Sequence, residues 1–173
     1  QFVVTYAGAL GQANDMQTVF SAAEALRDHP EIHFLLLGDG QMRSLVEQRV
    51  RDEQLENVTV AGSLPKHQMG AALGGSDACL ATLLDIPMFR MTYPNNVFDY
   101  MAAGRPTVLA MDGVIREVIE AADGGICVPP GDATAVVEAI KHLSVHREEA
   151  ARMGESARQY VTRHFHRDDQ ARQ

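Results

Sequence analysis

The chain has 173 residues, the size of one domain at roughly 100–200 residues each, and is long enough to bury about 70% of its unfolded surface. Its 46% hydrophobic and 22% charged residues, with 14 Gly and 7 Pro, exclude a disordered, collagen-like or disulfide-scaffold chain. With 15 Lys and Arg against 23 Asp and Glu the net charge is −8, a field that repels nucleic-acid backbones, so nucleic acid is not an expected partner and any bound phosphate must be held locally.

The first element is Phe2-Val-Val-Thr-Tyr-Ala7, a β-rich run ended by Gly8. With neither initiator methionine nor leader before it, the run reads as the start of a piece cut from a longer chain. Helical and extended patterns then alternate. A helix at 14–27, striped by Met16, Val19, Phe20, Ala23 and Leu26, precedes a strand at 32–37; a helix at 42–52 precedes a strand at 58–61; and a helix at 66–73 precedes a strand at 78–84. The second half repeats the alternation with helix 96–103, strand 107–110, helix 114–122, strand 126–129 and helix 133–143. Short apolar strands separated by helices require parallel neighbours joined by right-handed crossovers. The expected fold over 1–145 is therefore α/β, a doubly wound six-stranded parallel sheet of Rossmann-like type. Residues 146–164 carry a further helical stripe, Ala150, Met153, Ala157, Tyr160 and Val161, with no strand after it, so 146–173 forms a C-terminal helix and tail.

The longest apolar runs, 32–37 and 107–111, fall far below the ~18 residues that span a bilayer, so a soluble domain is expected. Cys79 and Cys127 lie in apolar strand-like runs without Cys-x-x-Cys spacing, which reads as reduced core thiols of a cytoplasmic protein. The seven histidines are scattered, and the nearest cluster, His164-Phe-His166, sits in a polar tail. No metal framework is expected, and no histidine is given a role.

In an open α/β sheet a ligand lies outside the carboxyl ends of the strands, where strand order reverses, so the loops there are the candidates. Gly8-Ala-Leu-Gly-Gln-Ala-Asn14 opens toward a helix and lets backbone amides approach an anion, or is simply a tight turn. It lacks the Gly-x-Gly-x-x-Gly spacing of a dinucleotide site, which disfavours a plain Rossmann oxidoreductase. Gly38-Asp-Gly40 is a second such turn. The segment from Pro87 to Pro106 is the richest: Asn95 or Asn96 is placed to cap a helix whose first-turn amides attract phosphate, and Arg90 could add a full charge or pair with Asp85. Asp99 follows within the first two turns, placed either to accept hydrogen bonds from ribose hydroxyls or to complement the helix dipole.

Motif order adds a family resemblance along nearly the whole chain. Tyr-Ala-Gly-x-Leu at the start is followed by Phe34-Leu-Leu-Leu-Gly-Asp-Gly40, Asn57-Val-Thr-Val-Ala-Gly62, Val97-Phe-Asp-Tyr-Met-Ala-Ala-Gly-Arg-Pro106, Glu117-Val-Ile, Gly124-Gly-Ile-Cys-Val-Pro-Pro-Gly-Asp132 and Met153-Gly154. This series resembles the C-terminal, donor-binding half of retaining glycosyltransferases of the GT-B architecture, family 4. Phe89-Arg90 and the run Tyr93 to Tyr100 are most similar to the branch that moves N-acetylated amino sugars from UDP onto lipid carriers in cell-envelope polysaccharide assembly.

The resemblance implies that Asp99 stands where the family carries the second Glu of its Glu, seven residues, Glu motif and holds the ribose. Met91 stands at the first Glu, and Asn96 where related sequences have Lys, so both depart from the pattern. Arg90, the amides around Val97 and Arg105 are left to stabilise the departing diphosphate, making Arg90 and Asp99 the catalytic candidates. Gly8, Leu10, Gly38, Ser63, Leu64, Asn95, Asn96 and Val97 join Asp99 as substrate-binding candidates, the loop Ser63-Leu-Pro65 toward the uracil. No cofactor or catalytic metal is implied, the nucleotide sugar being substrate. The implied partner is an N-terminal acceptor domain across a cleft, toward which the helix and tail of 146–173 would pack back unless that helix packs on its own domain, with any membrane surface met only through the full-length protein at the inner face of the cell membrane. A second reading is a non-catalytic nucleotide-sugar-binding subunit acting with a partner chain, motivated by Met91 and a first loop without Lys or Arg.

Overall fold

A computed structural model describes residues 1–165; His166 and the rest of the tail lie outside the described residues. Six strands form one all-parallel sheet: β1 (Phe2–Ala7), β2 (Ile32–Leu37), β3 (Val58–Gly62), β4 (Ala78–Thr82), β5 (Thr107–Ala110) and β6 (Gly125–Cys127), in the spatial order β3-β2-β1-β4-β5-β6. Strand order reverses between β1 and β4, and the architecture is the doubly wound Rossmann-like one. Among the described residues seven α-helices connect and cover the strands: α1 (Met16–Ala25), α2 (Arg43–Asp52), α3 (Lys66–Gly74), α4 (Asn95–Ala102), α5 (Val114–Ala122), α6 (Ala133–Val145) and α7 (Arg147–His164). Two short 3-10 segments, Gln12–Asn14 and Pro87–Met91, carry no apolar period and escape a sequence reading.

Period-two alternation sends the strand side chains into two cores. Phe2, Val4, Phe34, Leu36, Leu80 and Val108 face α1 and α6, whereas Cys79, Ala81 and Leu109 face α4, α5 and α7. Both faces being buried explains why β4 and β5 are apolar at every position but the threonines. Two helix starts are fixed by aspartates, Asp15 accepting from the Thr18 amide at 3.3 Å and Asp132 from the Ala135 amide at 2.9 Å. The stripe on α7 buries Ala150, Met153, Gly154 and Ala157 against the helices of this same domain. Gly154 is essential to that seat, since a Cβ there would stand 2.1 Å from the Gly104 carbonyl oxygen. Cys79 is buried, Cys127 is half-buried, and the two thiols are unpaired. No helix among the described residues is long and apolar enough to cross a membrane.

Candidate functional site

A cleft of about 360 Å³ opens at the carboxyl ends of the strands beside the β1/β4 reversal, where an open α/β sheet places its ligand. One wall is the end of β1 and its loop, Ala7, Gly8, Ala9 and Asn14; the other is α4, through Asn95, Asn96, Asp99 and Tyr100; Met69 and Leu73 of α3 close the apolar end. The β1 loop is held over β4 by Thr82 Oγ1, which donates to the Asn14 carbonyl at 2.5 Å, and by the Leu84 amide, which donates to Ala13 at 2.9 Å.

Tyr100 joins the two walls. Its fully buried hydroxyl accepts from the Ala7 amide at 2.8 Å and faces two carbonyls, Ala7 at 3.0 Å and Leu80 at 3.1 Å, with one proton to give. Burial pushes this phenol well above its ordinary pKa, so it stays a neutral donor. Asn96 Nδ2 adds a donation to the Ala7 carbonyl at 3.0 Å. Sequence reasoning assigns Tyr100 no role beyond its place in the run Tyr93 to Tyr100. The available signal was that a tyrosine on a buried helix face needs a partner for its hydroxyl.

The expected cap is corrected. Pro94, with φ −66° and ψ 125°, occupies the N-cap, and Asn95 and Asn96 are the first two helical residues, neither giving a side-chain cap. Proline's fixed φ suits a helix entrance, and the Asn96 amide group is occupied at Ala7. The Val97 amide donates to the Pro94 carbonyl at 3.2 Å and its side chain is buried, so Val97 offers nothing to the cleft. The first-turn amides of Asn95 and Asn96, which have no partner within the helix, are what α4 presents to an anion.

Several other candidates do not line the cleft. Leu10 is buried in the core; its amide donates to the Asp39 carbonyl at 2.9 Å and its own carbonyl accepts from Met42 at 2.8 Å. Gly38 lies behind Gly8, where a Cβ would stand 1.8 Å from the Gly8 carbonyl oxygen; it shapes the wall without lining it. Ser63 and Leu64 lie in the turn from β3 into α3, whose Met69 lines the cleft, but neither is itself a lining residue, and Leu64 packs against the core. Arg90 belongs to the 3-10 segment, lines a separate hollow against Met111 and Asp112, and donates to Asp85 at 3.2 Å. Arg105 donates to the Gly74 carbonyl, at the end of the sheet opposite the cleft. Of the sequence candidates, Gly8, Asn95, Asn96 and Asp99 meet in the cleft. Among the described residues that line it, none is Lys, Arg or His.

The family model for "Glycosyl transferases group 1" matches residues 1–145. WcaI of Escherichia coli (strain K12), named as a colanic acid biosynthesis glycosyl transferase, is 25% identical over 160 residues, which are 87% of this chain and 39% of that protein. TarM of S. aureus, solved with fondaparinux, α-GlcNAc-glycerol and UDP, superimposes with a TM-score of 0.84 at 15% identity, covering 99% of this chain and 35% of that one. The C-terminal domain of a glycosyl transferase group 1 protein, LpcC of Francisella tularensis, matches with a TM-score of 0.76 at 14% identity, covering 95% of this chain and 86% of that one. The chain thus spans about two fifths of WcaI and a third of TarM but nearly the whole of the isolated LpcC domain. With the strand order, the cleft and the family match over 1–145 in agreement, the chain belongs to the glycosyl transferases group 1 family.

Proposed function

We propose that this chain is the donor-binding half of a retaining GT-B glycosyltransferase of family 4, taking a UDP-sugar, with an N-acetylated hexosamine as the sugar, for transfer to a lipid-linked or polysaccharide acceptor. The observation that carries it is the cleft at the β1/β4 reversal, with the α4 amino terminus and Asp99 on one wall. UDP in the TarM structure and the name of WcaI agree with a nucleotide-sugar donor and a cell-envelope product. The acceptor would be held by a second domain facing this one, at the inner face of the cell membrane, and no metal is required.

In this reading Asp99 accepts hydrogen bonds from the two ribose hydroxyls, and the diphosphate rests on the Asn95 and Asn96 amides. When the bond between the anomeric carbon and phosphate oxygen breaks, its electron pair stays on that oxygen, and the helix terminus holds the growing charge. Arg90 can join only by leaving Asp85, an exposed pairing worth under about 1 kcal/mol. The test is calorimetric titration of UDP and ADP into the domain, with Asp99→Ala and Arg90→Ala alongside. UDP-selective binding that Asp99→Ala abolishes and Arg90→Ala weakens is expected; equal UDP binding by wild type and Asp99→Ala would overturn the ribose assignment.

A further inference from the structure

At the corner where α6 meets α7, two histidines and a glutamate converge outside the donor cleft. His142 lies in the last turn of α6, His146 is the single residue between the helices, with φ −98° and ψ 66°, and Glu149 lies in the first turn of α7. One ring nitrogen of each histidine and one carboxylate oxygen of Glu149 all fall within 4.8 Å of one another. The imidazoles are stacked, with centroids 4.1 Å apart and planes 23° apart, and His142 Nε2 donates to Glu149 Oε2 at 2.7 Å.

We propose that His142, His146 and Glu149 form a binding site for a divalent transition-metal ion, represented by Zn²⁺, which clamps the α6–α7 corner. Two imidazoles and one carboxylate suit Zn²⁺, Ni²⁺ or Co²⁺ and not the all-oxygen preference of Mg²⁺ or Ca²⁺. Metal–nitrogen and metal–oxygen bonds of about 2.0–2.2 Å put tetrahedral ligand atoms roughly 3.3–3.4 Å apart. The three donor atoms lie within 4.8 Å of one another, but the stacked rings hold their in-plane lone pairs in near-parallel planes, so the His142 ring must turn about χ2, giving up its hydrogen bond to Glu149, before the three atoms meet one ion.

The outer hydrogen bonding supports the assignment. His146 Nδ1 lies 2.9 Å from the His142 carbonyl oxygen, which can only accept, so Nδ1 carries the proton and the lone pair of neutral His146 is on Nε2. A ring nitrogen donating to a backbone carbonyl while the other faces the ion is the usual arrangement of a metal-bound histidine. His142 Nε2 donates its hydrogen bond to Glu149; when the ion takes that position, neutral His142 keeps its proton on Nδ1, and an imidazolium releases the Nε2 proton to solvent. Flanking cations are engaged elsewhere: Arg147 with Asp77 at 3.0 Å, and Arg152 with Asp123. His142 and His146 are exposed, which leaves the remaining coordination positions to water. The spacing of four and then three residues was readable in the sequence, but only the turn at His146 shows that Glu149 returns to the same side.

The experiment is Zn²⁺ titration of the tag-free 173-residue chain against a chromophoric chelator, with thermal melts in parallel. One Zn²⁺ per chain and a raised Tm are expected, with no response to Mg²⁺ or Ca²⁺. His142→Asn and His146→Asn should each weaken Zn²⁺ binding by about tenfold or more and remove the Tm rise, Glu149→Gln should weaken it less, and His67→Asn should leave it unchanged. The metal-induced change in Tm is compared for each variant with its own metal-free melt, so a small loss of stability does not obscure the result. Absence of stoichiometric Zn²⁺ binding, or unchanged binding in the double His142→Asn, His146→Asn variant, would overturn the proposal.

Discussion

The Tyr100 hydroxyl engages both backbone groups of Ala7, accepting from its amide at 2.8 Å and lying 3.0 Å from its carbonyl, although 93 residues separate the two. The contact fixes the distance between the end of β1 and helix α4, which are the two walls of the cleft. Tyr100→Phe keeps the ring and removes the hydroxyl, leaving a buried amide without its acceptor. A loss of roughly 1–3 kcal/mol is expected in urea denaturation, together with weaker UDP binding. Unchanged stability would mean that the Ala7 groups find other partners.

Gly38→Ala tests whether the wall beneath Gly8 depends on close backbone approach. Its Cβ would stand 1.8 Å from the Gly8 carbonyl oxygen, so the loop must move as a unit. The expected cost is about 1–3 kcal/mol or more, from the kind of overpacking that rigid backbone cannot relieve. A thermal melt indistinguishable from wild type would refute this account.

At the other end of the sheet, Gly154 bears α7 against the turn at Gly104. Gly154→Ala places a methyl 2.1 Å from the Gly104 carbonyl oxygen, lifting α7 from α4 and partly exposing Ala157. Stability should fall by roughly 1–3 kcal/mol, with faster hydrogen exchange confined at first to α7. Uniform exchange across the domain would argue that α7 is not a separable layer.

Stability should also decline at alkaline pH. Burial raises the pKa values of Tyr6, Tyr100 and Cys79 and pushes Cys127 up to about 11, whereas the unfolded groups titrate at their ordinary values near 9 for Cys and 10 for Tyr. Between those limits the native state holds protons that the unfolded chain has released, so folding stability is complete below the unfolded values and is lost as pH rises through the native ones. Urea melts from about pH 8 to pH 11 should show a falling midpoint, less steep in Tyr100→Phe. A flat profile across this range would exclude the linkage.

Periodicity alone determined the six strands, the helices between them and their parallel arrangement, because burial on both faces marks the central strands as apolar runs and a one-sided stripe marks the helices that pack deepest. Motif order pointed to a glycosyltransferase, which the group 1 family match over 1–145 supports at that coarser level, and Gly8, Asn95, Asn96 and Asp99 were legible as cleft residues because loops after strands have a fixed place in such a sheet. Tertiary structure decided the rest. Pro94 took the cap from the asparagines, Arg90 went to Asp85, Leu10 turned into the core, and Ser63 and Leu64 stayed outside the cleft lining. Local sequence states which backbone groups need partners and which side chains avoid water. Whether Tyr100 or Asn96 reaches Ala7, and whether Glu149 returns to His142, depends on the packing of segments distant in the chain or on the angle of one turn, which no local pattern contains.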